Sequence, residues 1–398
     1  MNSPTRTGHD TAGSHTGESH TAGPLTGVRV LELGGIGPAP YAGMLLGDLG
    51  AHVIRVDRPQ DAGLDNPAPV LHRGRRSLTL DLKHPDSTGI VRALAADTDI
   101  VIEGFRPGVA ERLGVGPDTL LARNPALVYG RMTGWGQDGP LAQEPGHDIN
   151  FIALTGALHA IGPADTPTVP LNLLGDMGGG GLLLAFGVVS ALVTARARGA
   201  GQVVDAAMSD GSASLLAMVH GFLAQGRWRD ERAANTIDGG CPWYGVYRCS
   251  DDRHVALGIG DRRSYAALVE VLALDGDPAF ADQYDRAAWP AMRGTLTDVF
   301  AGRSRDEWAK VFEGRGACVS PVLSLAEAPE HPHNTARGTF RTGADGGIEP
   351  APVPRFSGTP AADPGPAPVV GAHTDEVLAR AGYGPQAIAR LRAEGIVR

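Results

Sequence analysis

The chain has 398 residues, a net charge of -9, 42% apolar and 20% charged residues, the balance of a soluble globular protein with room for two or three domains. An acidic chain makes a poor general nucleic-acid surface, which needs a concentrated positive field. Three cysteines (Cys241, Cys249 and Cys318) without CxxC spacing argue against a disulfide framework or a structural zinc site and suit a reducing cytoplasm.

Residues 1–23 are rich in Gly, Ser, Thr and His and lack the apolar middle of a signal peptide, so a disordered leader is expected. From Val28 onward short β-branched runs alternate with helical stretches. VRVLEL (28–33), HVIRV (52–56), SLTLDL (77–82), DIVIEG (99–104) and ALVYGRM (126–132) read as strands, with helices over 40–49 and 85–96. Apolar strands separated by helices predict a parallel sheet covered on both faces.

A helix is expected after Gly146. Met177 to Ala195 is a longer run without charge, but four consecutive glycines and the absence of a second such run favour a buried core helix over a membrane span. GQVVDAAMSDGSASLLAM (201–218) reads as a strand followed by a helix. Between about 228 and 310 the texture changes to a hairpin around Asp251-Asp252 with helices at 262–272 and 287–301. Two short amphipathic helices close the chain, with Thr374 as the expected cap of the first.

The loop GGIGPAP (34–40) has the outline of a dinucleotide fingerprint, with Asp57 about twenty residues on. Pro38 and Pro40, however, remove N–H donors where a pyrophosphate needs them, and a proline stands where close helix–strand packing wants Gly or Ala. A wall of a ligand cleft is the better reading.

Several longer motifs occur in a fixed order: PLTGVRVLELGGIGPAPYAGMLLGDLGAHVIRVDRP (24–59), RMTGWGQDGP (131–140), GHDIN (146–150), LNLLGDMGGG (171–180), GQVVDAAMSDG (201–211) and HTDEVL (373–378). Together they resemble the family III CoA-transferase and α-methylacyl-CoA racemase superfamily over nearly the whole chain. The resemblance implies a large Rossmann-like α/β domain (24–225, completed by about 335–398) plus a smaller α+β domain (226–334), interlinked as a homodimer. The substrate would be an acyl-CoA thioester, with no metal or further cofactor, no nucleic acid and no membrane insertion.

Residue by residue, the resemblance places an aspartate acid/base or nucleophile at Asp176 and, in the racemase form of GHDIN, a histidine acid/base at His147. Taken alone, Asp176 reads as the N-cap of the apolar helix, a position that favours the anion. Histidine suits a proton shuttle because its ordinary pKa lies near neutrality. The backbone N–H of Asp148, at the start of the helix after His147, would stabilise an enolate oxygen. Two positions depart from the racemase pattern. Asp261 stands where a glutamate supports the histidine across the dimer, and Phe151 stands where a tyrosine is usual.

Coenzyme A requires guanidinium forks for its phosphates, for which Arg58, Arg73, Arg75, Arg76 and Arg106 are the candidates. Ile36, Met132, Met177 and Phe151 are candidates for the acyl pocket. The expected reaction is α-epimerisation of a 2-methylacyl-CoA. CoA transfer with Asp176 as nucleophile, or another isomerisation, elimination or cyclisation on the same scaffold, are the alternatives.

Overall fold

The computed structural model describes residues 22–398; the expected leader lies, up to residue 21, outside the described residues. In chain order the large domain contributes β1 (Arg29–Leu33), α1 (Pro38–Asp48), β2 (His52–Asp57), β3 (Arg76–Thr79), α2 (Ser87–Ala96) and β4 (Ile100–Glu103). Next come two short helices, α3 (Val109–Arg112) and α4 (Pro117–Leu121), then β5 (Val128–Thr133), α5 (Asp148–Leu154) and α6 (Ala157–Ala160). A π-helix (Leu173–Leu182) runs directly into α7 (Leu183–Arg198), followed by β6 (Val203–Ala207), α8 (Met208–Leu215) and α9 (Ala217–Ala224).

The six strands pair in the order β3-β2-β1-β4-β5-β6, all parallel. Val30, Leu31, Ile100, Val101 and Ile102 are buried, as strands covered on both faces require. One layer packs Ala39, Leu46, Val188 and Leu192 from α1 and α7 against the sheet. The other packs Ile90 and Val91 of α2 together with Val377 and Leu391 from the chain's end. The winding reverses at β1, between β2 and β4, which opens a crevice at the carboxyl ends of these strands.

The second unit contains β7 (Tyr244–Arg248), β8 (His254–Gly258), α10 (Arg262–Val271), α11 (Trp289–Phe300), α12 (Arg305–Phe312) and β9 (Val319–Pro321). Its antiparallel sheet and helices enclose a separate core of Trp243, Met292, Phe300 and Trp308. The chain then forms α13 (Pro332–Arg337) and the antiparallel pair β10 (Phe340–Thr342) and β11 (Ile348–Pro350). It returns to the large domain as α14 (Thr374–Arg380) and α15 (Pro385–Ala393).

Three local expectations are corrected. The apolar helix begins at Leu173, four residues before Met177, and its first ten residues are π-helical, with Met177 N–H donating to Asn172 C=O five residues back. Four glycines let α8 and α1 come close: a Cβ at Gly179 would lie 2.6 Å from the Ser212 nitrogen. The helix is also not buried all round. Val188 and Leu192 face the core, whereas Leu183, Phe186 and Val193 are exposed. Finally, Thr374 is the first helical residue and His373 precedes it as cap. The buried Thr374 hydroxyl instead accepts the Thr79 N–H and donates to Gly371 C=O, tying the chain's end to β3.

Candidate active site

The loops after β1 and β4 meet at the switch point, where a Cβ on Gly35 would lie 3.7 Å from the Gly104 Cα. Gly37 ends the first loop with φ of 65°, a left-handed conformation that a side chain would strain, and Pro38 starts α1. A Cβ on Gly37 would stand 3.3 Å from Asp176 Oδ2. The proline-bearing loop is therefore one wall around the Asp176 carboxylate.

Asp176 is the fourth residue of the π-helix rather than an N-cap, and it is half-buried. Burial is the main cause that pushes its carboxyl above the usual range; the Asn172 amide, at 3.3 Å from Oδ2, pulls down, the Asp148 charge pushes up and the His147 charge pulls down. The expected stabilisation of the anion by a helix terminus is thus replaced by desolvation.

His147 is the exposed, extended cap residue of α5, and its own N–H is held by Asn150 Oδ1 at 3.1 Å. Asp148 follows as the first helical residue and is buried. Its Oδ2 accepts the Asp176 N–H at 2.7 Å, while its Oδ1 has no hydrogen-bond partner among the described residues. A Cβ on Gly175 would sit 2.7 Å from Asp148 Oδ2, so this contact requires the glycine. The structure therefore brings His147, Asp148, Asp176 and Gly37 to one rim of the sheet. Asn172, Asn150 and Gly175 were not singled out from the sequence. Asn172 stands four residues before Asp176, a helical spacing legible once the helix is begun at Leu173.

The other candidates divide. Phe151 and Met132 are both 3% exposed and belong to the core, with the Phe151 ring edge-on to Trp135 at 4.8 Å. They do not line an acyl pocket. Ile36, 83% exposed, and the half-buried Met177 remain beside the Asp176 rim. Arg58 and Arg106 are exposed at the carboxyl ends of β2 and β4, flanking the switch point, with Arg58 Nε donating to Asp61 Oδ2 at 2.9 Å.

Arg73, Arg75 and Arg76 are not a solvent-facing phosphate cluster. Arg73 is buried and paired with Asp48 at 2.6 Å, and Arg75 is buried against Glu32 at 3.3 Å. Arg76 lies at the start of β3, near the opposite end of the sheet, where it pairs with Glu376 and donates to His52 Nε2 at 2.9 Å. Asp261 is exposed and caps α10, accepting the N–H groups of Arg263 and Ser264, each at 2.9 Å. These bonds, that of Ser264 above all, hold its carboxyl below the usual range. Within one chain it does not meet His147.

Two cavities, of about 360 Å³ beside Arg73 and Arg341 and about 440 Å³ beside His52 and Arg380, lie away from this rim. Among the described residues no group of three or more His, Cys, Asp and Glu side chains is placed to hold a metal ion.

A doubly wound α/β domain with an imidazole and a carboxylate at the carboxyl rim of its sheet defines the class: an α/β enzyme equipped for proton or acyl-group transfer. The profile of CoA-transferase family III matches residues 25–374, and the chain belongs to that family. Over 375 residues it is 42% identical to the mouse (Mus musculus) alpha-methylacyl-CoA racemase and 40% identical to the human (Homo sapiens) one, covering 94% of this chain and 97% of either relative. A solved CAIB/BAIF family protein from Brucella suis superposes with a TM-score of 0.78 at 26% identity, covering 90% of this chain and 100% of that one.

Proposed function

We propose that the chain is an acyl-CoA racemase that inverts the α-carbon of 2-methylacyl-CoA thioesters, with His147 and Asp176 as its two bases. The observation that carries this reading is the hydrogen bond from Asp176 N–H to Asp148, which ties the helix capped by His147 to the helix that carries Asp176. Similarity to racemases along almost the whole chain supports it.

In the forward step one of the two groups removes the α-proton, and the C–H electron pair moves into the thioester carbonyl to give an enolate. Asn150 and Phe151 donate their N–H groups to the His147 carbonyl, and the N–H of Asp148, the first residue of α5, is the one offered to the enolate oxygen. The other group donates its proton to the opposite face of the same carbon, and the enolate pair forms the new C–H bond. A raised pKa suits Asp176 to both halves of this exchange, because its protonated form is then populated closer to neutrality. Arg58 and Arg106 are the residues proposed for the coenzyme A phosphates, and Ile36 and Met177 for the acyl chain.

A second copy of the chain completes this reading. α9 has no buried residue and exposes Met218 and Leu223, and α7 exposes Phe186 and Val193. Exposed apolar side chains of this kind suit a protein interface, and a homodimer would bring the partner's small domain and its capped carboxylate to the rim. The three free thiols suit a cytoplasmic enzyme.

The test is incubation of each epimer in deuterium oxide. The wild type is expected to incorporate deuterium at the α-carbon and to interconvert the epimers, and His147→Ala and Asp176→Ala to lose interconversion. CoA exchange with free acids through an Asp176 acyl intermediate, without α-deuteration, would establish the transferase reading instead.

A further inference from the structure

Beneath the loop that walls Asp176 lies a cluster of buried charge. Glu32, on β1, is fully buried, and both its oxygens face arginines: Arg55 Nη1 pairs with Oε1, and Arg75 Nη1 lies 3.3 Å from Oε2. Each guanidinium reaches onward to the loop. Arg55 Nη2 donates to Gly35 C=O at 3.2 Å, and Arg75 Nη2 donates to Pro40 C=O. Arg55 Nε is fixed on Asp57 at 2.8 Å. Both ends of the Gly35–Pro40 segment are therefore held from below by one carboxylate acting through two arginines.

From above, the same segment presses on the π-helix. A Cβ on Gly181 would lie 2.5 Å from the Pro38 carbonyl oxygen, and Gly37 stands against the Asp176 carboxylate. The segment is thus clamped between the buried arginines and the helix that carries Asp176.

Such a cluster is a costly way to fill a core, since apolar residues of equal volume would do so at no loss in stability. Two guanidiniums share Glu32, and Arg75 Nε has no hydrogen-bond partner among the described residues. Burial accordingly lowers the Arg75 pKa.

We infer that Arg55 and Arg75, joined by Glu32, are positioning residues for the reaction: through Gly35 and Pro40 they set the height of Gly37 under Asp176 and so the reach of that carboxylate. The inference rests on Asp176 being one of the two bases. If its reach is lost while His147 is untouched, the two epimers cease to behave alike. His147 still removes the α-proton from the epimer it faces and returns a solvent proton to the same face, so that exchange outlives inversion. The other epimer, which needs Asp176 to begin, loses both.

The experiment compares the wild type, Arg55→Lys, and Asp176→Ala as the reference for a missing carboxylate, measuring inversion and α-deuteration for each epimer in deuterium oxide. Arg55→Lys keeps the charge and gives up the fork. Its inversion kcat is expected to fall by ~10–100-fold with KM within about twofold, as for a catalytic group displaced by about 1 Å. Deuteration of one epimer should persist in it. Wild-type kcat, or an equal loss of exchange and inversion in both epimers, overturns the inference. Should Arg55→Lys not fold, Gly37→Ala bears on the same contact from the loop side and must show the same split between epimers, and its failure to do so overturns the inference equally. Wild-type exchange of both epimers in Asp176→Ala would sink the two-base reading itself, whatever Arg55→Lys does.

Discussion

Asp148 and Asp176 are joined side chain to backbone, Oδ2 of the first accepting the N–H of the second at 2.7 Å with Gly175 cleared away beneath the contact. One buried carboxylate therefore fixes where the π-helix presents Asp176, and its charge also pushes the Asp176 carboxyl upward. Asp148→Asn keeps an acceptor oxygen and removes the charge, so the Asp176 pKa should fall and the acidic limb of the pH–rate profile should move to lower pH. Asp148→Ala removes the acceptor as well, and kcat is expected to drop by ~100-fold, the scale of a small misplacement of a reacting group. A pH–rate profile unmoved in Asp148→Asn would break the electrostatic link.

Asp176 also carries a stability prediction. Its pKa is raised in the folded state, chiefly by burial, so ionising it costs the fold something that protonating it does not. The associated stability is fully present below the unfolded carboxylate pKa and is lost as pH rises through the folded one. Asp176→Asn, neutral at every pH, should therefore raise Tm at pH 7 by ~1–2 °C while abolishing inversion. The gain should vanish in acid. A Tm below wild type at pH 7 would contradict the burial argument.

Much of this site is legible in the sequence because it depends on short-range signals. The strands and the switch point follow from β-branched runs between helices, and His147 and Asp176 stand inside motifs that identify the superfamily. What stays hidden depends on long-range packing. Arg75 and Arg106 are both arginines near strand ends, yet only tertiary structure turns the first onto Glu32 and leaves the second in solvent. Phe151 is the neighbour of two catalytic candidates in sequence and lies beneath them in space, filling the room that Gly134 and Gly146 leave. The π-helix escapes a 3.6-residue reading altogether, because its glycines are chosen for the close approach of α8 and α1.

If Arg106 holds a coenzyme A phosphate as proposed, Glu103 should link pH to substrate binding. Burial pushes its carboxyl up to about 7, against the opposing pull of the Phe105 N–H and Arg131. Its oxygens accept the Phe105 N–H at 2.6 Å and Arg131 Nε at 3.0 Å, which anchors the loop that carries Arg106. As pH falls from 8 to 6 the carboxyl takes up a proton, the anchor weakens, and KM for the acyl-CoA should rise. Glu103→Gln should show a high KM at every pH, by ~5-fold if about 1 kcal/mol of the bond reaches the loop, with kcat nearly unchanged. A wild-type KM with its pH dependence intact in Glu103→Gln would remove Glu103 from substrate binding.

The exposed apolar side chains of α7 make the last prediction. Phe186 is 68% exposed, and its neighbour on the same helix, Leu183, is 37% exposed, although both sit in the most apolar stretch of the chain. Neither belongs to the chain's own hydrophobic cores. A glutamate at position 186 should therefore leave the thermal stability of the single chain unchanged while opposing association. At the centre of a two-fold interface such a change counts twice, at about 3 kcal/mol or more per copy, which moves a tight dimer into the micromolar range. Sedimentation of Phe186→Glu as a monomer, with inversion lost because the partner's small domain no longer reaches the His147 rim, is the expected outcome. A fully active dimer in this variant would place the interface elsewhere and leave the apolar face without a partner.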